Sequence, residues 1–326
     1  MHKNQKAGQG QLQASESEAK AEYDSSFKRV STSEMKRRSV SEFEGLKVKE
    51  CSFYSNFGQK LFGCTYSKEN TEPEGVIIMA HGLGIGGQCV YMDSADYFTS
   101  NGYLVFAYDA TGTDRSEGDS VIGMGQGLID LNCAIDYVEH DSLLKNYPIV
   151  LFGHSWRAYC VCAALNFHPE VKAAVSISGF NCPEDYYREL FGRENPDFFS
   201  YFVSREKENF EKYSGCTAMS GFARTKAGIM IIHSADDRNV PASAGYDFYY
   251  KKYKDDDRFL FRKYKSRGHL FIFYTDKARE YDRSFYICEQ SLELSEFGRT
   301  NVFDKTAGYE IDRVFYEDIL SFYRKY

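Results

Sequence analysis

Six short apolar runs, none longer than seven residues, constrain the fold of this chain most. They are 76–80, 103–108, 148–152, 171–177, 228–232 and 259–264. Runs of this length and composition suit strands buried on both faces of a parallel sheet. Helical patterns lie between them at 127–139, 156–167 and 242–252, and His168-Pro169 ends the second. Two β-rich segments precede them, Val48 to Tyr54 and Leu61 to Tyr66, with the composition of an antiparallel pair. Strand–helix alternation of this kind gives right-handed crossovers. The expected class is therefore α/β, a doubly wound, mostly parallel eight-stranded sheet with its ligand site at the carboxyl ends of the strands.

The bulk properties set limits. The chain has 326 residues, enough for a sizeable core, and no apolar stretch approaches the roughly 18 residues that span a bilayer. Residues 1–40 are rich in Gln, Ser, Glu and Lys and lack an apolar h-region, so they are expected to be disordered rather than a signal peptide. Nine cysteines without a C-x-x-C pair suit reduced thiols and a cytoplasmic protein. A net charge of −7 argues against a nucleic-acid partner. The remainder, 45–326, is expected to form one domain. Residues 183–225 break the strand–helix rhythm with many aromatics among charges, which suits an inserted helical cap; extra helices on the sheet edge are the alternative. Near the C-terminus Ile311, Phe315, Ile319 and Phe322 fall on one helical face, a core stripe.

The chemistry centres on Leu151-Phe152-Gly153-His154-Ser155-Trp156-Arg157. An apolar run stops at a glycine, a serine follows, and a helical pattern begins at once, as in a nucleophile elbow. A serine hydroxyl attacks only if a histidine takes its proton and a carboxylate orients that histidine. Downstream, the strand Gly228 to Ile232 runs into Asp236-Asp237, with Asp237 the preferred acid and Asp236 the fallback. Arg267-Gly268-His269 follows the last strand, with His269 the candidate base. After the first central strand comes Ala80-His81-Gly82-Leu83-Gly84-Ile85-Gly86-Gly87, a loop whose backbone can approach a substrate closely. The N–H groups of Leu83 and Trp156 are the candidate donors to a developing oxyanion. Arg157 stands where G-x-S-x-G has its second glycine. Its Cβ is expected to crowd the turn and slow the site, and its charge to need water or an acid such as Asp109 or Asp114. On that expectation Arg157→Gly relieves strain.

The order Ser155, Asp237, His269, the HGLG loop, the turn from Asp109 to Gly118 and the RGH segment together resemble the α/β-hydrolase superfamily, in its serine aminopeptidase and monoacylglycerol-lipase-like branch, over about 45–326. The resemblance implies a hydrolase that needs no cofactor, with Ser155 as nucleophile, Asp237 as acid and His269 as base. The substrate expected is a small acyl ester, such as an acylglycerol or lysophospholipid. Cleavage of short peptides and catalytically silent ligand binding are the alternatives. No histidine spacing suggests a metal site, no stable membrane insertion is expected, and the oligomeric state is not legible.

Overall fold

In the computed structural model, residues 16–32, 38–69, 72–83, 91–192, 194–285 and 295–326 are described. Eight strands form one sheet: β1 (Leu46–Tyr54), β2 (Lys60–Lys68), β3 (Gly75–Ala80), β4 (Tyr103–Tyr108), β5 (Ile149–His154), β6 (Ala173–Ile177), β7 (Gly228–Ser234) and β8 (Phe259–Tyr264). Their spatial order is β1-β2-β4-β3-β5-β6-β7-β8. The β1–β2 and β2–β4 pairs are antiparallel and the rest are parallel.

The central strands are apolar throughout because both faces are covered. In β3, Val76, Ile78 and Ala80 enter one core layer while Ile77 and Met79 enter the other. The first layer is closed by α3 (Met124–His140) and α4 (Trp156–Ala163), through Leu128, Leu131, Ile135 and Val161. The second is closed by α2 (Met92–Ser100) and by α12 (Arg313–Tyr323), through Phe98, Phe315 and Ile319. Helix α12 starts where the Asp312 carboxylate accepts the N–H groups of Val314 and Phe315. The expected C-terminal stripe is therefore core, except that Ile311 precedes the helix and bridges to Tyr274.

Between β6 and β7 the chain forms α5 (Pro183–Phe191), α6 (Pro196–Phe210) and α7 (Ala218–Phe222). Proline occupies the first position of both α5 and α6, where its missing N–H costs nothing. The two helices meet through aromatic side chains, with Phe202 packed on Tyr187 and Phe191 at centroid distances of 5.1 and 4.7 Å. Beyond β7 come α8 (Tyr246–Tyr253), α9 (Asp276–Phe285), α10 (Glu296–Thr300) and α11 (Lys305–Gly308).

The expectation of disorder over 1–40 needs correction. Residues 1–15 and 33–37 lie outside the described residues, but 16–26 form a helix, α1. Tyr23 and Phe27 supply the reason: both are buried, and Tyr23 packs on Phe202 of α6 at 4.9 Å. The segment that follows is tied to the turn after β4, where Arg29 donates to the carbonyls of Gly118, Asp114 and Ser116. Among the described residues no helix is long and apolar enough to cross a membrane.

Candidate active site

Strand β5 ends at His154 and α4 begins at Trp156, so Ser155 has to reverse the chain alone. It does so at φ 58° and ψ −123°, a conformation that a side chain with a Cβ rarely adopts. Two backbone hydrogen bonds hold it there, Ser155 N–H to Ile177 O at 2.8 Å and Ala158 N–H to Ser155 O at 2.9 Å. The close approach in this turn is made at Gly153, where a Cβ would lie 2.4 Å from the Arg157 carbonyl oxygen.

The structure brings Ser155, His269 and Asp237 into one hydrogen-bonded line. His269 Nε2 lies 2.8 Å from Ser155 Oγ, and His269 Nδ1 lies 2.7 Å from Asp237 Oδ2. The other Asp237 oxygen accepts the N–H groups of Asn239 and Val240. Burial pushes the Asp237 carboxyl up, but the hydrogen bond and charge of His269 and the Val240 N–H outweigh it, so the group is held below the usual carboxylate range. Asp236 points elsewhere. Its Oδ1 accepts the Ser234 hydroxyl and the Gly268 N–H, and Gly268 sits at φ 66°. Asp236 therefore shapes the turn that presents His269 and does not touch the imidazole.

Three further side chains tie the loops of the site together. His154 Nε2 donates to the His269 carbonyl at 3.0 Å, which leaves its Nδ1 to accept the Tyr91 hydroxyl, also at 3.0 Å. The Tyr91 oxygen in turn receives the Gly82 N–H at 3.4 Å. His81 accepts the Ala110 N–H at Nε2 and donates from Nδ1 to the Gly82 carbonyl. Burial pushes both imidazoles down to about 3, aided by the charge of Arg157 at His81 and of His269 at His154. Both are neutral near pH 7 and act by fixed hydrogen bonds. Tyr91 carries no signal in a single sequence, because tyrosine is one of the commonest residues in this chain.

Gly82 backs directly onto the nucleophile turn, a Cβ there lying 3.6 Å from Ser155 Cβ. Leu83 follows it; Gly84 to Gly87 lie outside the described residues. Trp156 opens α4, so its N–H has no acceptor within the helix. Its indole N–H donates to the Met124 carbonyl at 2.8 Å, which fixes the ring.

Arg157 reaches neither water nor the acids expected for it. It is wholly buried between Trp156, Tyr108 and α3, with its guanidinium 4.1 Å from the centre of the Trp156 ring. Nη1 donates to the Gly127 carbonyl, and Nη2 lies 3.9 Å from Asp130 Oδ2. Among the described residues, Nε and Nη2 find no oxygen or nitrogen acceptor. The nearby acid is Asp130 because the crossover packs α3 against α4. Asp109 instead holds its own turn, accepting the Arg115 N–H.

The seven described cysteines are free thiols. One group of metal-ligating atoms lies within 4.8 Å of one another, those of Asp136, Glu139 and His168, near the C-terminal end of α3, opposite to the Met124 end that meets Trp156.

The sheet order, the strained serine between β5 and α4 and the histidine and acid converging on it can be set beside known proteins. The family described as serine aminopeptidase, S33, matches residues 71–204. Human monoglyceride lipase is 35% identical over 104 residues, 30% of this chain and 32% of that one. A monoglyceride lipase homolog of monkeypox virus is 28% identical over 128 residues, 39% of this chain and 45% of that one. The chain has the α/β-hydrolase fold, and the part of it that these relatives match is similar to the monoglyceride-lipase-like branch. The matched stretch spans about a third of the human relative and under half of the viral one. Among solved structures, this chain shares its fold with an esterase of Pyrococcus furiosus, at TM-score 0.56 and 16% identity over 74% of this chain and 90% of that one. It also resembles an acylaminoacyl peptidase of Pyrococcus horikoshii, at TM-score 0.52 and 20% identity over 71% and 38%.

Proposed function

We propose that this hydrolase cleaves carboxylic esters of apolar acyl groups through an acyl-enzyme on Ser155. The observation that carries the reading is the continuous line from Asp237 through His269 to the Ser155 hydroxyl, beside the N–H groups that open α4. His269 takes the hydroxyl proton as Ser155 Oγ attacks the ester carbonyl. Asp237 keeps Nδ1 protonated, so that Nε2 is the basic nitrogen, and stabilises the imidazolium that forms. The N–H groups of Trp156 and Leu83 receive the negative charge on the carbonyl oxygen, a contribution of about 3–4 kcal/mol per donor in comparable sites. His269 then passes its proton to the departing alcohol, and water activated by the same imidazole releases the acid.

An ester substrate is favoured by the monoglyceride lipase relatives and by the aromatic character of α5 and α6, read as a cap. Tyr186 of α5 stacks on Phe180 at 4.8 Å, and Phe180 stacks on Tyr159 of α4 at 5.3 Å, which gives an apolar wall behind the elbow. A fluorophosphonate probe tests the mechanism: it is expected to label the protein stoichiometrically at Ser155 and to fail on Ser155→Ala with the fold retained. Labelling that persists in Ser155→Ala refutes the assignment. On the same preparation, hydrolysis of aminoacyl anilides without hydrolysis of p-nitrophenyl esters would transfer the proposal to peptides.

A further inference from the structure

Outside the triad, a deeply buried carboxylate is that of Glu206 on α6. The residue is 4% exposed, and both of its oxygens are occupied. Oε1 accepts the Met124 N–H at 2.7 Å and the Tyr187 hydroxyl at 2.8 Å, and Oε2 accepts the Gly125 N–H at 3.0 Å. Met124 and Gly125 open α3, so Glu206 satisfies two of the N–H groups that a helix start leaves without partners, and its charge suits that end of the helix dipole. Two glycines make the contact sterically accessible. A Cβ on Gly123 would stand 2.8 Å from Glu206 Oε1 and 2.4 Å from the Tyr23 hydroxyl, and one on Gly125 would stand 2.4 Å from the Phe210 ring. Met124 faces the elbow with its other backbone group, since its carbonyl accepts the Trp156 indole N–H. One residue thus joins α6 to the neighbour of Ser155.

We propose, on the Ser155 reading above, that Glu206 is a positioning residue that sets α5 and α6 against the nucleophile elbow and so fixes the space available to the acyl chain. An apolar side chain in this aromatic interface would hold the helices without the cost of a buried charge. The carboxylate adds one defined register, because only one placement of α6 serves both N–H groups.

Burial pushes the Glu206 carboxyl up to about 7, against the hydrogen bonds from Met124, Tyr187 and Gly125 that hold it down. The groups that face it are Tyr23 from α1, Tyr187 from α5, and Tyr159 and Cys160 from α4, with Arg205 of α6 acting on Tyr23. Burial moves the Cys160 thiol up to about 12 and raises the three phenols, while Arg205 is paired with Glu208. Titration near neutrality at this contact therefore belongs to Glu206. Protonation puts a hydrogen on one oxygen and removes the acceptor from one N–H of α3, so the contact loosens below about pH 7.

The test uses the full chain as wild type, Glu206→Gln and Tyr187→Phe. Hydrogen exchange at the Met124 and Gly125 amides reads the contact without reference to activity. Glu206→Gln is expected to lose about tenfold in protection at these amides, and Tyr187→Phe, which keeps both carboxylate bonds, less. In hydrolysis of p-nitrophenyl octanoate, KM is expected to rise about tenfold in Glu206→Gln while kcat changes by less than about threefold. Wild-type KM is expected to climb as pH falls from 8 to 6, and that of Glu206→Gln to stay flat. Unchanged amide protection in Glu206→Gln overturns the contact. An equal loss in kcat and no change in KM overturns the positioning role. Absent fluorophosphonate labelling of the wild type would sink the Ser155 reading instead, and the exchange result would still decide whether Glu206 fixes α6.

Discussion

The buried guanidinium of Arg157 allows a comparison in which the least certain energy terms cancel. Arg157→Met and Arg157→Gly both remove the charge, both delete the Nε and Nη2 donors, and both take the guanidinium away from Asp130. Asp130 keeps its hydrogen bonds from Ser55, from the Thr111 N–H and hydroxyl, and from Gln126 in either variant. What separates the two is volume and backbone. Methionine refills most of the space between Trp156, Tyr108 and α3, whereas glycine leaves it empty. Losing a large buried side chain costs about 3–5 kcal/mol, and glycine inside a helix costs about 1 kcal/mol more. Arg157→Gly is therefore expected to be less stable than Arg157→Met by about 4–6 kcal/mol, or roughly 8–12 °C in Tm at about 2 °C per kcal/mol. Arg157→Met itself is expected below the wild type, because it leaves the buried Asp130 carboxylate without the guanidinium that lies 3.9 Å away. It also loses the bond to Gly127 and the stacking on Trp156, the latter worth about 2 kcal/mol when desolvated.

Activity follows the same logic. A void beside Trp156 lets its ring shift, and its N–H is the donor assigned to the oxyanion, so kcat of Arg157→Gly is expected to fall about 10- to 100-fold with Arg157→Met nearer the wild type. Thermal unfolding and p-nitrophenyl ester hydrolysis on the three proteins decide it. An Arg157→Gly protein as stable and as active as Arg157→Met would refute the space-filling argument and restore the simpler view that a side chain at 157 crowds the turn.

The two adjacent acids should separate cleanly. Asp237→Asn is expected to lower kcat by about 10⁴, because the imidazole loses its orienting carboxylate, and Asp236→Asn, which disturbs only the Gly268 turn, by far less; the reverse order in kcat would show that the wrong oxygen was assigned. Acid stability carries a second signature. His81 and His154 are pushed down to about 3 in the fold, so the unfolded chain binds their protons first and stability present above pH 6.5 is lost toward pH 3 at about 1.4 kcal/mol per unit for each. Glu206, raised to about 7, and Asp93, raised by burial to about 6, have the opposite sign, the first between pH 7 and 4.5 and the second between pH 6 and 3.8. Urea unfolding is thus expected to change little between about pH 6 and 4.5 and to fall steeply below about pH 4, whereas a profile still flat at about pH 3 would mean the histidines are not buried neutral.

What a single sequence discloses here depends on how far apart in the chain the interacting groups lie. The central strands were legible because a strand covered on both faces has no polar positions to dilute its pattern. The edge strand β1 is mostly exposed instead, with only Leu46 and Phe53 buried, and it begins at Leu46, two residues before the expected Val48. The order of Ser155, Asp237 and His269 was legible because each follows a strand and the elbow requires local strain. Helix α3 begins at Met124, three residues before the pattern expected from 127, and Gly123, Gly125 and Gly127 each clear space for a side chain from another element. The helix at 16–26 was missed for a related reason. Its composition is polar, and Tyr23 and Phe27 become core only against Phe202, far along the chain.

Arg157 shows how such long-range contacts change the meaning of a local departure. Read alone, arginine in place of the second elbow glycine looks like a steric fault. In the fold the bare backbone has been supplied from the opposite helix: a Cβ on Gly127 would lie 2.5 Å from the Trp156 ring and 2.9 Å from Arg157 Nη1. The same Gly127 gives its carbonyl to that guanidinium. Space and acceptor for the unusual residue come from one position on α3, a helix that the sheet crossover lays against α4. A bulky residue at 127 is therefore the change that would make Arg157 the obstruction it was expected to be.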